Sequence, residues 1–166
     1  MKHYPQRKNT RLKHYDYSQN GWYFVTICAR SREHILGEIK NEEMILNENG
    51  KIIQTCWQQL PQHYENCILD TFITMPNHVH GIIQIDNNLS TTSEKRKHGL
   101  SEIIRGFKTF SSRKINDREK FTHFQWQKSF HDHIIKDETR LITIREYINN
   151  NPLKWHIEKA PYHSLQ

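Results

Sequence analysis

The fold of this chain is decided by residues 67–85, which read CILDTFITMPNHVHGIIQI. Two apolar segments rich in β-branched and aromatic residues flank Pro76-Asn77, a pair typical of a tight turn. The pattern predicts two strands, Cys67–Met75 and His78–Ile85, joined through this turn.

The rest of the chain shows further strand and helix patterns around these two segments. Runs of β-branched and aromatic residues predict strands, and apolar residues three and four apart predict amphipathic helices. The predicted strands are Trp22–Ala29, Ile35–Ile39, Met44–Leu46 and Phe121–Trp126, and the predicted helices are Lys51–His63, Leu100–Ile115 and Asp137–Asn150. Pro152 is expected to end the last helix, because the residue before a proline is disfavoured in the helical region. This order predicts an α+β fold, an antiparallel sheet with helices on one face.

Size and composition restrict the class of protein. The 166 residues are expected to form one domain, 1–166, with a basic arm at 1–16 and a flexible basic loop at 86–98. The mean hydropathy is −0.88, no apolar run approaches the roughly 20 residues of a membrane helix, and the N-terminus does not resemble a secretory signal. We therefore expect a cytoplasmic protein. A net charge of +6 favours a polyanionic partner without choosing between DNA and RNA.

His78 and His80 form the first candidate site. Side chains two residues apart in a strand point to the same side, so both imidazoles share one face and can bind one divalent metal ion. Two ligands rarely suffice, and a third must come from elsewhere in the chain. Ordinary, partly exposed histidines are the other interpretation: 12 histidines in 166 residues give roughly one His-x-His pair by chance.

Tyr147 and Asn151 form the second candidate site. They are four residues apart, which places them one turn apart on the same face of the predicted helix. Tyr147 lies at the edge of the apolar stripe, where its ring can pack while its hydroxyl reaches a cleft. A phenol, with a pKa of about 10, attacks a phosphodiester only when the phosphate is polarised and held in line. A core tyrosine followed by an Asn-Pro helix stop is the simpler interpretation.

Several segments, in this order along the chain, resemble the IS200-like single-tyrosine (HUH-type) transposases, and in particular the branch called REP-associated tyrosine transposases. They are Met75–Gly81 (MPNHVHG), Gly106–Phe110 (GFKTF), Trp126–Glu138 (WQKSFHDHIIKDE) and Tyr147–Pro152 (YINNNP). The resemblance extends over about residues 17–156. Several ordered segments that match together are far more specific than any one motif.

The resemblance implies a ferredoxin-like sheet with the histidine pair on a central strand and the tyrosine on a C-terminal helix. His78 and His80 match metal ligands that hold Mg²⁺ or Mn²⁺, and Asn151 matches a polar residue that helps to complete the metal site. Tyr147 matches a nucleophile that forms a 5′-phosphotyrosine and releases a 3′-hydroxyl. The activity implied is cleavage and rejoining of single-stranded DNA that carries a hairpin or palindromic repeat, without a nucleotide cofactor.

Basic residues of the predicted helix at 100–115 are candidates for contact with the DNA backbone. They are Arg105, Lys108, Arg113 and Lys114. Simple solvated helix charge is an equally good interpretation of each one taken alone.

Some alternatives stay open at this point. A domesticated module that binds hairpin DNA without cleaving it would need no nucleophile, and an unrelated histidine metalloprotein would bind metal irrespective of DNA. His131, Asp132 and His133 could form a second metal site, support the first site or belong to a helix-capping turn. Monomeric and homodimeric forms are both compatible with the resemblance.

Overall fold

A four-stranded antiparallel sheet is built around the two strands predicted at residues 67–85. The computed structural model describes residues 12, 14–31, 33–89, 97–119 and 123–155. The strands are β1 (Gly21–Cys28), β2 (Gly37–Lys40), β3 (Glu43–Leu46), β4 (Cys67–Met75), β5 (His78–Ile85) and β6 (His131–Ile135). The helices are α1 (Glu48–Gln58), α2 (Leu60–His63), α3 (Leu100–Arg118), α4 (Glu138–Asn149) and α5 (Asn151–Lys154). The sheet has the order β4-β5-β1-β6, and β2 and β3 pair separately.

The strand with the two histidines is central, as expected. It pairs antiparallel with β4 on one side and with β1 on the other, in a register that sets His80 beside Ile73 and Thr26. Because side chains alternate along a strand, His78 and His80 point to one face, while Val79 and its neighbours at every second position point to the other.

Helices cover both faces of the sheet, so the prediction of helices on one face was wrong: side chains on both faces of the central strands are apolar enough to bury a helix. On the first, called here the α1/α3 face, Val25, Ile27, Val79 and Ile83 are fully buried in one cluster with residues of α1 and α3. On the second, called the α4 face, a smaller cluster joins the sheet to α4; its buried members are Ile82, Ile135, Leu141, Ile144 and Ile148. The histidine pair lies on the α4 face, beside this smaller cluster.

The last predicted helix, Asp137–Asn150, corresponds to α4, and a short helix that was not predicted follows it. Asp137 caps α4 by accepting a hydrogen bond from the Arg140 backbone N–H (2.8 Å), and α4 ends at Asn149. Asn151 then begins the short helix α5, with Pro152 in its first turn, where a proline is tolerated. The helix predicted at Asp137–Asn150 is therefore confirmed, but it does not extend to Asn151, so the shared face of Tyr147 and Asn151 stays a prediction.

The last strand was predicted in the wrong place. Of the segment Phe121–Trp126, residues 121 and 122 lie outside the described residues, and Trp126 forms an isolated bridge with Ala29. The strand is β6, which begins with His131, Asp132 and His133. Its apolar pattern is weak because β6 is an edge strand and leaves His131 and His133 exposed.

Two predicted flexible regions fall mostly outside the described residues. Of the arm at 1–16, the structure describes 12 and 14–16, and of the loop at 86–98 it describes 86–89 and 97–98. Tyr15 packs on Tyr23 with ring centroids 6.4 Å apart, so the end of the arm contacts the α1/α3 face. Within the described part of the chain, no helix is both long and apolar enough to cross a bilayer.

Candidate active site

The two histidines of β5 converge on one point. The Nε2 atoms of His78 and His80 lie 3.1 Å apart. Two nitrogens that each bind one ion at about 2.1 Å, at an angle between a right angle and a tetrahedral one, are separated by about 3.0–3.4 Å. The pair is thus already spaced as two neighbouring ligands of one ion.

Each imidazole is oriented through its other nitrogen. The Nδ1 atom of His78 shares a hydrogen bond with Oδ1 of Asn77 (2.7 Å), and Nδ1 of His80 shares one with the Thr26 hydroxyl (2.8 Å). With the carbonyl oxygen of Asn77 as the acceptor, the proton of neutral His78 would be on Nδ1, which leaves the lone pair of Nε2 available for a metal. The outer hydrogen bonds therefore aim both rings.

Burial keeps the two imidazoles neutral at pH 7. It lowers the pKa of His78 to about 4. The pKa of His80 is lowered to about 3, mainly by burial and secondarily by the charge that His78 would carry. A neutral imidazole is the form that binds metal, because the lone pair of the ligating nitrogen must be free.

Tyr147 of α4 lies against the histidine pair. Its ring centroid is 5.5 Å from that of His80 and 6.0 Å from that of Phe24. Phe24 also stacks on His80, at 5.5 Å. Nζ of Lys154 lies 5.9 Å from the Tyr147 ring. The structure thus brings together a candidate nucleophile, two candidate metal ligands and one cation.

An ion pair ties the tyrosine helix to the sheet. Arg145, two residues before Tyr147, donates from Nε to Oδ1 of Asp70 (2.9 Å) and from Nη2 to Oδ2 (2.7 Å). Asp70 lies on β4 in an irregularity of the strand register between Leu69 and Phe72. Such a bulge changes the direction of side chains, and here the carboxylate of Asp70, within the irregularity, contacts Arg145 of α4. Arg145 also lies 6.0 Å from the Trp22 ring.

Asn151 is a buried polar residue at the start of α5. It is 2% exposed, and its Nδ2 atom has no hydrogen-bond partner among the described residues. The two ends of an amide are exchanged by a half turn of its side chain, so a carbonyl oxygen can take the place of this nitrogen. The described residues contain no group of three His, Cys, Asp or Glu side chains able to hold a metal. The amide oxygen of Asn151 as a third metal ligand stays a prediction.

The four basic residues predicted to bind DNA do not form one surface. Arg105 and Lys108 line a cavity of about 820 Å³ between α3 and the segment 123–130. Nζ of Lys108 also donates to the backbone carbonyls of Gln127 (2.6 Å) and Lys128 (3.0 Å). Arg113 is exposed, and Nζ of Lys114 donates to Oε1 of Gln59 (3.1 Å).

The chain's second His-x-His pair opens β6 on the sheet face that carries the first. His131 pairs with Thr26 and His133 with Phe24, so both point to the α4 face, and Asp132 points to the α1/α3 face. The capping residue of the next helix is Asp137. A capping role for the His131–His133 segment was therefore wrong.

Several residues of the site were not singled out from the sequence. Phe24 and Thr26 meet His80 only through the pairing of β1 with β5, and no local motif marks them. Lys154 and Trp155 follow the tyrosine motif closely, but their proximity to Tyr147 and His78 depends on the break between α4 and α5. Asn77 belonged to the quoted motif, where it was read only as a turn residue.

Comparison with known proteins identifies the family and the fold. The family model described as "Transposase IS200 like" matches residues 17–151. An uncharacterized protein of Haemophilus influenzae is 36% identical over 163 residues, covering 90% of this chain and 89% of its own length. A second protein of that organism, named as a REP-associated tyrosine transposase, is 24% identical over 141 residues, covering 84% and 74%.

Two solved structures share the fold. One is a REP-associated tyrosine transposase bound to a REP hairpin, with a TM-score of 0.59 at 17% identity, covering 93% of this chain and 74% of that one. The other is assigned as a transposase of Deinococcus radiodurans, with a TM-score of 0.50 at 16% identity, covering 84% and 95%. The predicted α+β fold and the resemblance noted in the sequence are both confirmed. The match over residues 17–151 shows that the chain belongs to the IS200-like transposase family.

Proposed function

We propose that the chain is a metal-dependent single-stranded DNA endonuclease and strand transferase that acts on hairpin-bearing DNA through a covalent 5′-phosphotyrosine at Tyr147. The observation that supports this most directly is the convergence of the His78 and His80 Nε2 atoms at 3.1 Å with the Tyr147 ring beside them. The same spacing also suits an N–H···N hydrogen bond between two structural histidines, whereas a pure DNA-binding module has no need of a tyrosine there.

His78, His80 and the Asn151 amide oxygen would hold Mg²⁺ or Mn²⁺. Two nitrogens and one oxygen favour Mn²⁺ over Mg²⁺, because Mg²⁺ prefers oxygen ligands alone. The ion, when bound, neutralises charge on the non-bridging oxygens of the scissile phosphate. Asn77 and Thr26 keep the imidazole rings aimed, and α4 keeps Tyr147 beside them.

The strand is cut by direct displacement at phosphorus. The Tyr147 oxygen loses its proton and bonds to phosphorus, the bond from phosphorus to the 3′-oxygen breaks, and that oxygen leaves as a hydroxyl after gaining a proton. The number of phosphate ester bonds is unchanged, so a 3′-hydroxyl can reverse the step and rejoin DNA without a nucleotide cofactor. In-line placement of the attacking and leaving oxygens is what the protein must supply.

The cavity beside α3 is the surface that we propose for the DNA backbone. Arg30, Arg105, Lys108 and Lys128 lie around it, and cations in a groove bind phosphates irrespective of sequence. Arg113, exposed on the same helix, would extend this surface, whereas Lys114 lies apart with Gln59. One structural neighbour is bound to a REP hairpin, and we propose a hairpin or palindromic repeat as the partner here.

A denaturing gel tests the function. Hairpin DNAs with single-stranded flanks, taken from the sequence around the gene and labelled at either end, are incubated with the protein and Mn²⁺. We expect a protein-linked band carrying the label 3′ of the cut, which disappears with EDTA, Tyr147→Phe or His78→Ala. Tyr147→Phe keeps the ring packing and removes only the nucleophilic oxygen.

Tyr64→Phe is the matched control, since Tyr64 is a buried tyrosine that contacts α3. It should form the adduct as wild type does. Tight binding of the same DNA by wild type without any adduct would contradict the nuclease and support a binding module. An adduct that survives Tyr147→Phe would show that another nucleophile is used.

A further inference from the structure

A tryptophan packs on the histidine pair at the end away from His80. The ring centroid of Trp155, which directly follows α5, is 5.8 Å from that of His78 with 32° between the planes. The ring of His34 meets Trp155 edge-on at 5.7 Å. Trp155 is half-buried and His34 is exposed. Part of the indole surface is therefore open to a ligand bound at the histidines.

Tyr147 and Trp155 contact different members of the pair. Tyr147 lies against His80 at 5.5 Å, whereas Trp155 lies against His78. In a displacement at phosphorus, the attacking and leaving oxygens lie on opposite sides of the phosphorus atom. If Tyr147 supplies the attacking oxygen from the His80 end, the departing 3′-oxygen and its nucleotide lie towards the His78 end.

We propose that Trp155, with His34 at its edge, is a stacking site for the nucleobase directly 5′ of the scissile phosphate. This is the base of the nucleotide that departs with the 3′-hydroxyl. The inference deepens the proposed nuclease function and rests on it. It assigns to this chain a contact that positions the leaving strand, in addition to the phosphate contacts of the α3 cavity.

The chemistry favours a base as the occupant of this surface. Every nucleobase has a flat aromatic face, so an indole accepts any of them, and stacking on aromatic side chains is a general means of holding single strands. A phosphate or a sugar gains little from an indole. If Trp155 only supported the His78 ring, its removal would change the binding of DNA with and without bases equally.

Equilibrium binding separates these two roles. The probes are dye-labelled dT12 and a 12-residue abasic chain of equal charge, measured by fluorescence anisotropy in EDTA so that no cleavage occurs. We expect Trp155→Ala to weaken binding of dT12 by roughly 5- to 150-fold, the range of one lost base stack, and to leave the abasic chain unaffected. Trp155→Phe, which keeps a smaller aromatic ring, should lose less.

Leu153→Ala is the matched control, because Leu153 is an apolar residue of the same short helix and is 47% exposed. It should bind both probes as wild type does. If Trp155→Ala loses affinity equally for both probes, or for neither, the proposal is overturned.

The position of the base is tested in the gel assay with an abasic residue placed in turn on each side of the cut. Trp155→Ala should slow adduct formation on intact DNA, and it should cause no further loss on DNA that is abasic directly 5′ of the cut. The assignment of the base is overturned if Trp155→Ala still slows adduct formation fully on DNA that is abasic directly 5′ of the cut, and causes no further loss on DNA that is abasic at another position. If wild type forms no adduct, the nuclease proposal fails, and the dT12 comparison alone then decides whether Trp155 is a stacking site.

Discussion

The two faces of the central sheet differ in what they contain. Among the described residues, the α1/α3 face belongs to a cluster of 22 buried residues, and the buried cluster on the α4 face has five. Burial of apolar surface is the main source of folding free energy, so most of it comes from the α1/α3 face. The α4 face instead carries the histidine pair and the tyrosine.

This division follows from the alternation of side chains along the strands. Val79 and His80 are neighbours in sequence, but one lies in the large cluster and the other in the site. At Gly81, the next residue, the strand lies so close to Trp57 of α1 that a Cβ atom would be 2.4 Å from Cζ2 of Trp57. The strand that holds the candidate metal ligands is thus held in place by packing on its opposite side.

The largest effect is expected from Trp57→Ala on the α1/α3 face. Trp57 is 1% exposed and packs on Phe72 and Phe107, with ring centroids 4.5 and 5.3 Å away. The lost contacts and the cavity should reduce the free energy of unfolding by about 3–5 kcal/mol. Urea unfolding followed by circular dichroism measures this loss. Adduct formation per folded molecule should be retained.

Ile142→Ala is the control on the other side of the molecule. Ile142 belongs to α4 and is 47% exposed, so its truncation should change stability by no more than about 0.5 kcal/mol. If Trp57→Ala forms less adduct per folded molecule than wild type, and the deficit follows the loss of stability, the two faces are not separate in function.

The hairpin of β4 and β5 and the two motifs were predictable because each is set by a short segment. Alternation at residues 78–85 fixes the face of His78 and His80 whatever the rest of the chain does. The helix at Asp137–Asn150 was also predictable, because its apolar stripe continues to Ile148, whereas the short helix that Asn151 and Pro152 begin was not predicted.

The surroundings of the pair were not predictable, because they depend on contacts between distant segments. Thr26 is 54 residues from His80, and Arg145 is 75 residues from Asp70. A sequence gives no register between β1 and β5, and a shift of one residue would turn Thr26 to the other face. Which face α4 covers is likewise set by packing of the whole domain.

A second prediction compares the same substitution on the two faces. Thr26→Val removes the hydroxyl that orients His80, and the loss of such an outer contact typically costs about 10- to 100-fold in metal affinity. Thr74→Val is the matched control. Thr74 pairs with Val79, and its buried hydroxyl has no hydrogen-bond partner within the described residues, so its removal should leave both metal affinity and stability unchanged or better.

Calorimetric titration with Mn²⁺ in the absence of DNA measures this difference. Comparable affinities for wild type and Thr26→Val would mean that the hydroxyl does not orient the ring. A loss of affinity in Thr74→Val equal to that in Thr26→Val would show that the effect comes from the sheet as a whole and not from the face with the site.

The smallest effect is expected where α4 is tied to the sheet by charge. Arg145 lowers the pKa of Asp70 to about 2, through its hydrogen bonds and, to a lesser degree, its charge, with the Thr71 hydrogen bonds adding to the shift. Asp70 is 17% exposed and Arg145 35%, so water screens the pair. We expect Asp70→Asn to reduce the free energy of unfolding at pH 7 by about 1 kcal/mol.

The pH dependence gives the sign of this contribution. The folded-state pKa lies below the unfolded value of about 3.9, so the stabilisation is fully present above about pH 4 and is lost as the pH falls towards about 2. Urea unfolding from pH 7 to pH 2.5 should therefore show the wild type and Asp70→Asn converging at the acid end. Glu38→Gln, in the exposed pair with Lys40, should differ little from wild type throughout. A wild-type advantage that persists undiminished at pH 2.5 would mean that Asp70 stabilises α4 by packing and not by charge.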